Sequence, residues 1–292
     1  MKCENQEIHD NYAIYNADCI DLVSTLPDES IDYSVYSPPF ESLYTYSDNI
    51  QDMGNSKSTE QFWEHYKFLI NEQFRTLKKG RLISVHCMNL TTSKQKDGQI
   101  GLRDFRGEII RQFVDSGFIY HSEVCIWKDP VIAMQRTKAL GLLHKQIKKD
   151  SSMSRMGIPD YVVTFRKPGD NQDPISHTPE DFPVSEWQKI ASPIWADINQ
   201  SKTLQYRNAR DNNDERHIAP LQLEVIERCL KLWSKPNDLV FSPFTGIGSE
   251  GYMSLKMGRR FIGSELKKSY YDIAVKNLFD ATGQQLELDL SL

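Results

Sequence analysis

Residues 237–278, NDLVFSPFTGIGSEGYMSLKMGRRFIGSELKKSYYDIAVKNL, read as strand (238–242), glycine-rich turn, helix (249–257), strand (260–264) and helix (267–279). That is a complete βαβ unit. Within it GIGSEG places Gly246, Gly248 and Gly251 in a G-x-G-x-x-G spacing, and Glu265 ends the second strand. Glycines let backbone approach a ligand closely, and an acid at the end of the next strand can accept hydrogen bonds from ribose hydroxyls. A nucleoside-type cofactor is the reading that uses all of these parts. A purely structural turn is the competing one.

The kind of cofactor is a separate question. A dinucleotide wants its pyrophosphate on the helix N-terminus, where Glu250 stands and would repel it. S-adenosylmethionine carries no phosphate, so an acidic first turn is no handicap.

Working outward, the rest of the chain alternates in the same way. YAIYNAD (12–18) and IDYSVY (31–36) read as strands, with CIDLVSTLP as a short helix between them. TEQFWEHYKFLINEQFRTLKKG (59–80) spaces Phe62, Tyr66, Leu69, Ile70, Phe74 and Leu77 as a helix face, with Gly80 as its stop. RLISVHCM follows as a strand, FRGEIIRQFVDSG as a helix, and FIYHSEVCIW and YVVTFR as strands. A helix over 214–234, entered through a proline-containing turn, carries Leu223, Ile226, Leu230 and Trp233 on one face. Strands and helices in alternation predict an α/β, Rossmann-like fold: a mostly parallel central sheet with helices on both faces.

Composition agrees and excludes other classes. The 292 residues, 39% hydrophobic and 26% charged with a net charge of −5, describe a globular chain able to bury a core. No apolar run approaches bilayer length. The opening MKCENQEIHDNY does not read as a secretory signal. The five cysteines, Cys3, Cys19, Cys87, Cys125 and Cys229, are scattered without a CxxC pair, so neither a disulfide framework nor a metal site is expected. Reduced thiols and a cytoplasmic location follow.

Two regions break the rhythm. Residues 128–167 hold nine Lys or Arg against three Asp, interleaved with small and apolar residues. A basic stretch on a net-acidic chain suggests that a polyanion is met at one place; the alternative is a solvated helix face. Residues 169–187 are acidic and rich in Pro and Asp, as a surface loop or linker is.

A second motif sits 200 residues ahead of the glycine turn: Ser37-Pro38-Pro39-Phe40, straight after the strand 31–36. Methylating an exocyclic base amine is hard because its lone pair is delocalised into the ring. Hydrogen-bond acceptors placed at the NH2, one polar side chain and one rigid backbone carbonyl, favour a pyramidal nitrogen and aim its lone pair. Two prolines fix φ near about −65° and donate no N–H. An adjacent aromatic can stack on a base rotated out of the duplex. Ser37, the Pro38 carbonyl held by Pro39, and Phe40 supply those parts; alone, the tetrapeptide is as well read as a turn.

With both motifs in hand, the chain resembles the DNA amino-methyltransferases, whose motif is (D/N/S)-P-P-(Y/F/W). NADCIDLVSTLPDESIDYSVYSPPF is similar to that family's opening segment, and FSPFTGIGS to its D-P-F-x-G-x-G loop, with Ser242 in place of the usual Asp. RHIAPLQLEVIERCL is a looser match to the segment before the loop. The resemblance implies S-adenosylmethionine as cofactor, with Asp18 and Cys19 at its adenine end. It implies His217, Pro220, Phe244, Thr245, Gly246, Gly248, Ser249 and Glu265 as further cofactor residues, and Ser37, Pro38, Pro39 and Phe40 as catalytic. The catalytic segment precedes the glycine loop, the permuted, beta-type order; glutamine-modifying methyltransferases have the reverse order. Cytosine-C5 chemistry needs a Pro-Cys nucleophile, and no cysteine here follows a proline.

The organisation expected is a catalytic half (1–127), a basic insertion for target recognition (128–160), a last strand and acidic linker (161–213), and a cofactor-binding half (214–292). Double-stranded DNA is the expected partner, and a cognate restriction endonuclease a further one. Arg136, Lys138, Lys145, Lys148, Lys149 and Arg155 are candidate DNA contacts, and Tyr44 and Tyr46 candidate stacking residues. Ser in the first motif position resembles the cytosine-N4 enzymes, with adenine-N6 as the alternative. An NAD-type oxidoreductase leaves SPPF unused, and a non-catalytic DNA-binding module uses neither motif for chemistry.

Overall fold

The computed structural model describes residues 1–40, 59–137, 143–205 and 220–289. The strands are β1 (Cys3–Ile8), β2 (Tyr12–Ala17), β3 (Ile31–Tyr36), β4 (Leu77–Met88), β5 (Leu90–Thr92), β6 (Gly101–Arg103), β7 (Ile119–Ile126), β8 (Asp160–Arg166), β9 (Ile194–Trp195), β10 (Leu239–Ser242) and β11 (Arg260–Ser264). The helices are α1 (Cys19–Thr25), α2 (Thr59–Thr76), α3 (Lys94–Asp97), α4 (Phe105–Asp115), α5 (Pro130–Thr137), α6 (His144–Ile147), α7 (Val184–Ile190), α8 (Leu223–Trp233), α9 (Ser249–Lys256) and α10 (Lys268–Asp289).

Every residue of β3 is buried, as befits a strand covered on both faces. Its Ser34 and Asp32 side chains are paired within the sheet. Ser34 Oγ donates to the Phe241 carbonyl at 2.8 Å, and Asp32 accepts from the Leu239 N–H at 2.8 Å, which stitches β3 to β10. Nine strands lie in the order β1-β2-β11-β10-β3-β4-β8-β7-β9 among the described residues, while β5 and β6 pair separately. The five central strands, β2 through β4, run parallel. β1 is antiparallel to β2, and β8 is antiparallel to both β4 and β7, so the sheet is mixed at its margins.

Two cores cover the faces. One packs residues of α8, α9 and α10 on the sheet around Ile226, Leu230, Leu255 and Leu278. The other packs α1, α2 and α4 around Leu22, Tyr66, Ile70 and Phe113. Chain order explains where a ligand can enter. From β10 the chain goes by α9 to β11 on one side, and from β3 by α2 to β4 on the other. The carboxyl ends of β10 and β3 therefore flank a switch point, the place where open α/β sheets leave a crevice.

The expected helix over 59–80 ends sooner. Leu77 is already paired with Ile31 in β4. Gly80, expected as a helix stop, lies in an irregularity of β4 at φ +70°, and a Cβ there would fall 2.6 Å from the Asn171 nitrogen. The helix expected over 214–234 is seen as α8 from Leu223; residues 206–219 lie outside the described part. No helix among the described residues is long and apolar enough to cross a membrane.

Candidate active site

Four loops leave the carboxyl ends of four adjacent strands, β2, β11, β10 and β3, and carry most of the residues singled out above. The motifs 200 residues apart in sequence are thereby neighbours.

The β3 loop is anchored from behind. Tyr36, the last residue of β3, is buried, and its hydroxyl donates to Gln73 Oε1 at 2.9 Å and lies 3.1 Å from the Tyr66 hydroxyl, both on α2. Buried hydrogen bonds of this kind hold about 1 kcal/mol each and fix a geometry as well. Pro38 and Pro39 are buried; Ser37 and Phe40 are half-buried. The Phe40 ring meets Phe105 edge-on at 5.9 Å, which sets its plane. Tyr44 and Tyr46 lie outside the described residues.

Ser37 Oγ lies 3.1 Å from His86 Nδ1, and His86 Nε2 lies 2.9 Å from Asp160 Oδ2. The same carboxylate pairs with Lys128 Nζ. Burial alone would raise the Asp160 carboxyl, but Lys128 and His86 beside it hold it below the usual carboxylate range. Sequence reading missed these three residues. The available signal was one of place: polar residues close to the ends of the otherwise apolar runs RLISVHCM, FIYHSEVCIW and YVVTFR.

On the β10 side, the three glycines divide into two kinds. At Gly248, φ is +94° and a Cβ would meet Leu278 Cδ1 at 2.7 Å; at Gly251 it would meet Phe261 at 2.7 Å. Those two serve the packing of α9. Gly246, at φ +54°, faces open space, and a Cβ added there would have nothing within 4 Å. It is the point where the loop leaves room for a bound group. Glu265 closes the loop: its Oε2 accepts from the Gly246 N–H and its Oε1 from the Lys267 N–H, each at 2.8 Å.

Asp18 caps α1, accepting from the Ile20 and Asp21 N–H groups at 2.8 and 3.3 Å, and burial raises its carboxyl. β2, which it follows, is the neighbour of β11, which ends beside Glu265. Cys19 is buried in the α1/α2 core, so its side chain is a packing group. Thr245 is also buried, its hydroxyl donating to the Ser242 carbonyl at 3.3 Å, and Ser249 is buried in the first turn of α9. Phe244 is half-buried, with its ring 5.7 Å from Tyr36. Pro220 is half-buried just before α8, and His217 lies outside the described residues. Ser242 is wholly buried, and its Oγ has no partner among the described residues.

Glu250 departs from the expectation of a repelling charge. It sits in the first turn of α9 but is buried, and burial followed by the charge of Glu265 pushes its carboxyl up to about 8. Near pH 7 the group is mostly a neutral acid, so it offers little repulsion to a phosphate. An open glycine, a ribose-ready acid and a strand-end aromatic together fit S-adenosylmethionine.

The basic stretch also divides. Lys128 pairs with buried Asp160, Lys167 Nζ donates to the Leu77 carbonyl at 2.7 Å, and Arg166 donates to the Gly169 carbonyl. Those three belong to the scaffold. The others lie in the excursion between β7 and β8. Lys145, Lys148 and Lys149 are exposed around α6, and Arg136 is on α5. Arg155 is half-buried, with Nη2 shielded and unpartnered among the described residues. Lys138 lies outside them.

Comparison with known proteins gives one answer. The Type II methyltransferase M.BglII of Bacillus subtilis is 24% identical over 276 residues, which are 91% of this chain and 68% of that protein. M.HindIII of Haemophilus influenzae, also a Type II methyltransferase, is 21% identical over 237 residues, 77% of this chain and 71% of that one. Among solved structures, PvuII DNA methyltransferase (cytosine-N4-specific) superposes with a TM-score of 0.67 at 17% identity, covering 98% of this chain and 97% of that chain. TTHA0409 of Thermus thermophilus, in complex with S-adenosyl-L-methionine, gives 0.67 at 20% identity over 91% and 92%. The DNA methylase family matches residues 31–276, a span that holds both motifs. The chain belongs to that family, and is an S-adenosylmethionine-dependent DNA methyltransferase of the amino-methylating N4/N6 kind.

Proposed function

We propose that the protein methylates the exocyclic N4 amine of a cytosine turned out of duplex DNA. The observation that carries this reading is the placement of Ser37, a half-buried hydroxyl at the end of β3, beside the strand that carries the open glycine loop.

Bound S-adenosylmethionine supplies a methyl group on a sulfonium. The chain's own residues do the rest. Glu265 accepts from the donor's ribose hydroxyls, Asp18 stands at its adenine end, and Phe244 and Gly246 line the passage beside them. Ser37 Oγ and the Pro38 carbonyl accept from the two N–H bonds of the target amine, which drives its nitrogen toward tetrahedral geometry. Phe40, its plane fixed by Phe105, stacks on the base. Serine rather than aspartate in the first motif position resembles the cytosine-N4 enzymes and carries the preference for cytosine over adenine.

The excursion between β7 and β8, bounded by Lys128 and Asp160, is the target-recognition element in this reading. Lys145, Lys148, Lys149 and Arg136 meet phosphates, which makes affinity fall steeply with salt. Arg155 is a further candidate DNA contact in the same excursion. The relationship to Type II methyltransferases supports a cognate restriction endonuclease as functional partner. The decisive experiment is nucleoside mass spectrometry of DNA methylated by the purified protein. N4-methylcytosine is expected; N6-methyladenine alone overturns the choice of base, and no product on duplex DNA overturns the activity.

A further inference from the structure

Behind Ser37 lies a run of polar side chains that the reading above leaves unused. His86, on β4, is 8% exposed and stands between Ser37 and Asp160. Asp160 opens β8 and is 1% exposed; Lys128, its ion-pair partner, follows β7. The chain Lys128–Asp160–His86–Ser37 thus crosses the ends of three adjacent strands and reaches the loop of the fourth.

For a neutral imidazole, hydrogen-bond logic gives the direction of every link. A neutral imidazole has one N–H, and its neighbours decide which nitrogen carries it. Asp160, held as a carboxylate, only accepts, so His86 Nε2 is the nitrogen that donates. Nδ1 is then bare and must accept, and the partner within reach is the Ser37 hydroxyl at 3.1 Å. Once that hydroxyl donates its single hydrogen to Nδ1, its remaining lone pairs point away from the imidazole. With the opposite tautomer, Nδ1–H would occupy a serine lone pair and the serine hydrogen would be free to point at the base, a donor facing the N–H of an amine.

We propose that His86, Asp160 and Lys128 are positioning residues that set the Ser37 hydroxyl as a hydrogen-bond acceptor for the target amine. The proposal rests on reading Ser37 as the partner of that amine.

The test starts with the protein alone. Long-range proton–nitrogen correlation on histidine-labelled protein reads the tautomer directly, with the His86 signals identified by their loss in His86→Asn. A protonated Nε2 and a bare Nδ1 are expected. An Nδ1–H tautomer, or a doubly protonated ring under assay conditions, overturns the proposal. In Asp160→Asn, which keeps shape and removes charge, the two tautomers should become mixed. Its kcat should fall about tenfold or more, while KM for DNA and calorimetric affinity for S-adenosylmethionine stay unchanged. A raised KM for DNA with unchanged kcat would mean that the ion pair only shapes the excursion, and would overturn it. Ser37→Ala separates the two claims: full activity there sinks the reading of Ser37 and leaves the tautomer result standing.

Discussion

Two adjacent parallel strands each hand over to a loop at a Ser-Pro step: Ser37-Pro38-Pro39-Phe40 directly after β3, and Ser242-Pro243-Phe244-Thr245 from the last residue of β10. The first serine is half-buried and tied by its hydroxyl to His86. The second is wholly buried, and its hydroxyl has no partner among the described residues. The β3 loop is stiffened by a second proline and by aromatic contacts behind it, whereas the β10 loop is shaped by glycines and held by Glu265. In the proposed function, one loop holds a side chain still and the other leaves backbone close to a ligand. The same first residues serve opposite ends because their neighbours in the sheet differ.

The largest effect that tests this contrast is Ser37→Ala. Loss of the amine's acceptor should lower methylation by about 10³-fold, close to 4 kcal/mol on the barrier. Calorimetric affinity for S-adenosylmethionine should not change. A variant that loses cofactor affinity instead would show that the β3 loop is not separate from the β10 loop in role.

Next comes Glu250, which belongs to the β10 side. Its folded carboxyl titrates at about 8 against an ordinary 4.5, so the unfolded chain ionises first and stability falls as pH rises through that window. Glu250→Gln removes the ionisation. Its gain in urea-unfolding stability should be on the order of 3 kcal/mol at pH 7, and should shrink to nothing near pH 4.5. An equal gain at both pH values would mean that burial of the charge is not the cause.

The glycines give a smaller and more discriminating pair. Gly248→Ala meets Leu278 and the Ala274 backbone at a left-handed φ, and should lower stability by about 2 kcal/mol. Gly246→Ala meets nothing, so its stability cost should be about 1 kcal/mol, with weaker S-adenosylmethionine binding as the main result. Thermal melts and calorimetry on both variants separate packing from ligand approach. The same rank order in both measurements would erase the distinction between the two glycines.

Much of this is legible in the sequence. The βαβ unit of 238–279, the strands β2, β3, β7 and β8, and both motifs follow from local periodicity and turn chemistry, which a sequence displays directly. Several things are not, and three of them bear on the site. β4 begins at Leu77 because pairing with Ile31 overrides a helical pattern that runs on through that residue. Cys19 and Thr245 carry motif positions yet point into packing, which depends on the face a loop presents. His86, Asp160 and Lys128 come from three separate segments, and their contact exists only because β8 returns antiparallel between β4 and β7. Long-range pairing of that kind leaves no local trace beyond a polar residue near the end of an apolar run.

Ser242→Ala is the smallest expected effect and the sharpest control on the first. It is the same substitution, at the matching position of the neighbouring loop. A buried hydroxyl without a partner costs desolvation and returns nothing, so its removal should leave stability within about 1 kcal/mol or raise it slightly. Methylation should stay within a few-fold of the parent. The side chain is walled in at the end of β10, and nothing in the arrangement asks it to face the base or the donor. A loss of activity approaching that of Ser37→Ala would mean that the Ser242 hydroxyl finds its partner in a bound ligand. The two Ser-Pro loops would then share one job, and the contrast drawn between them would fail.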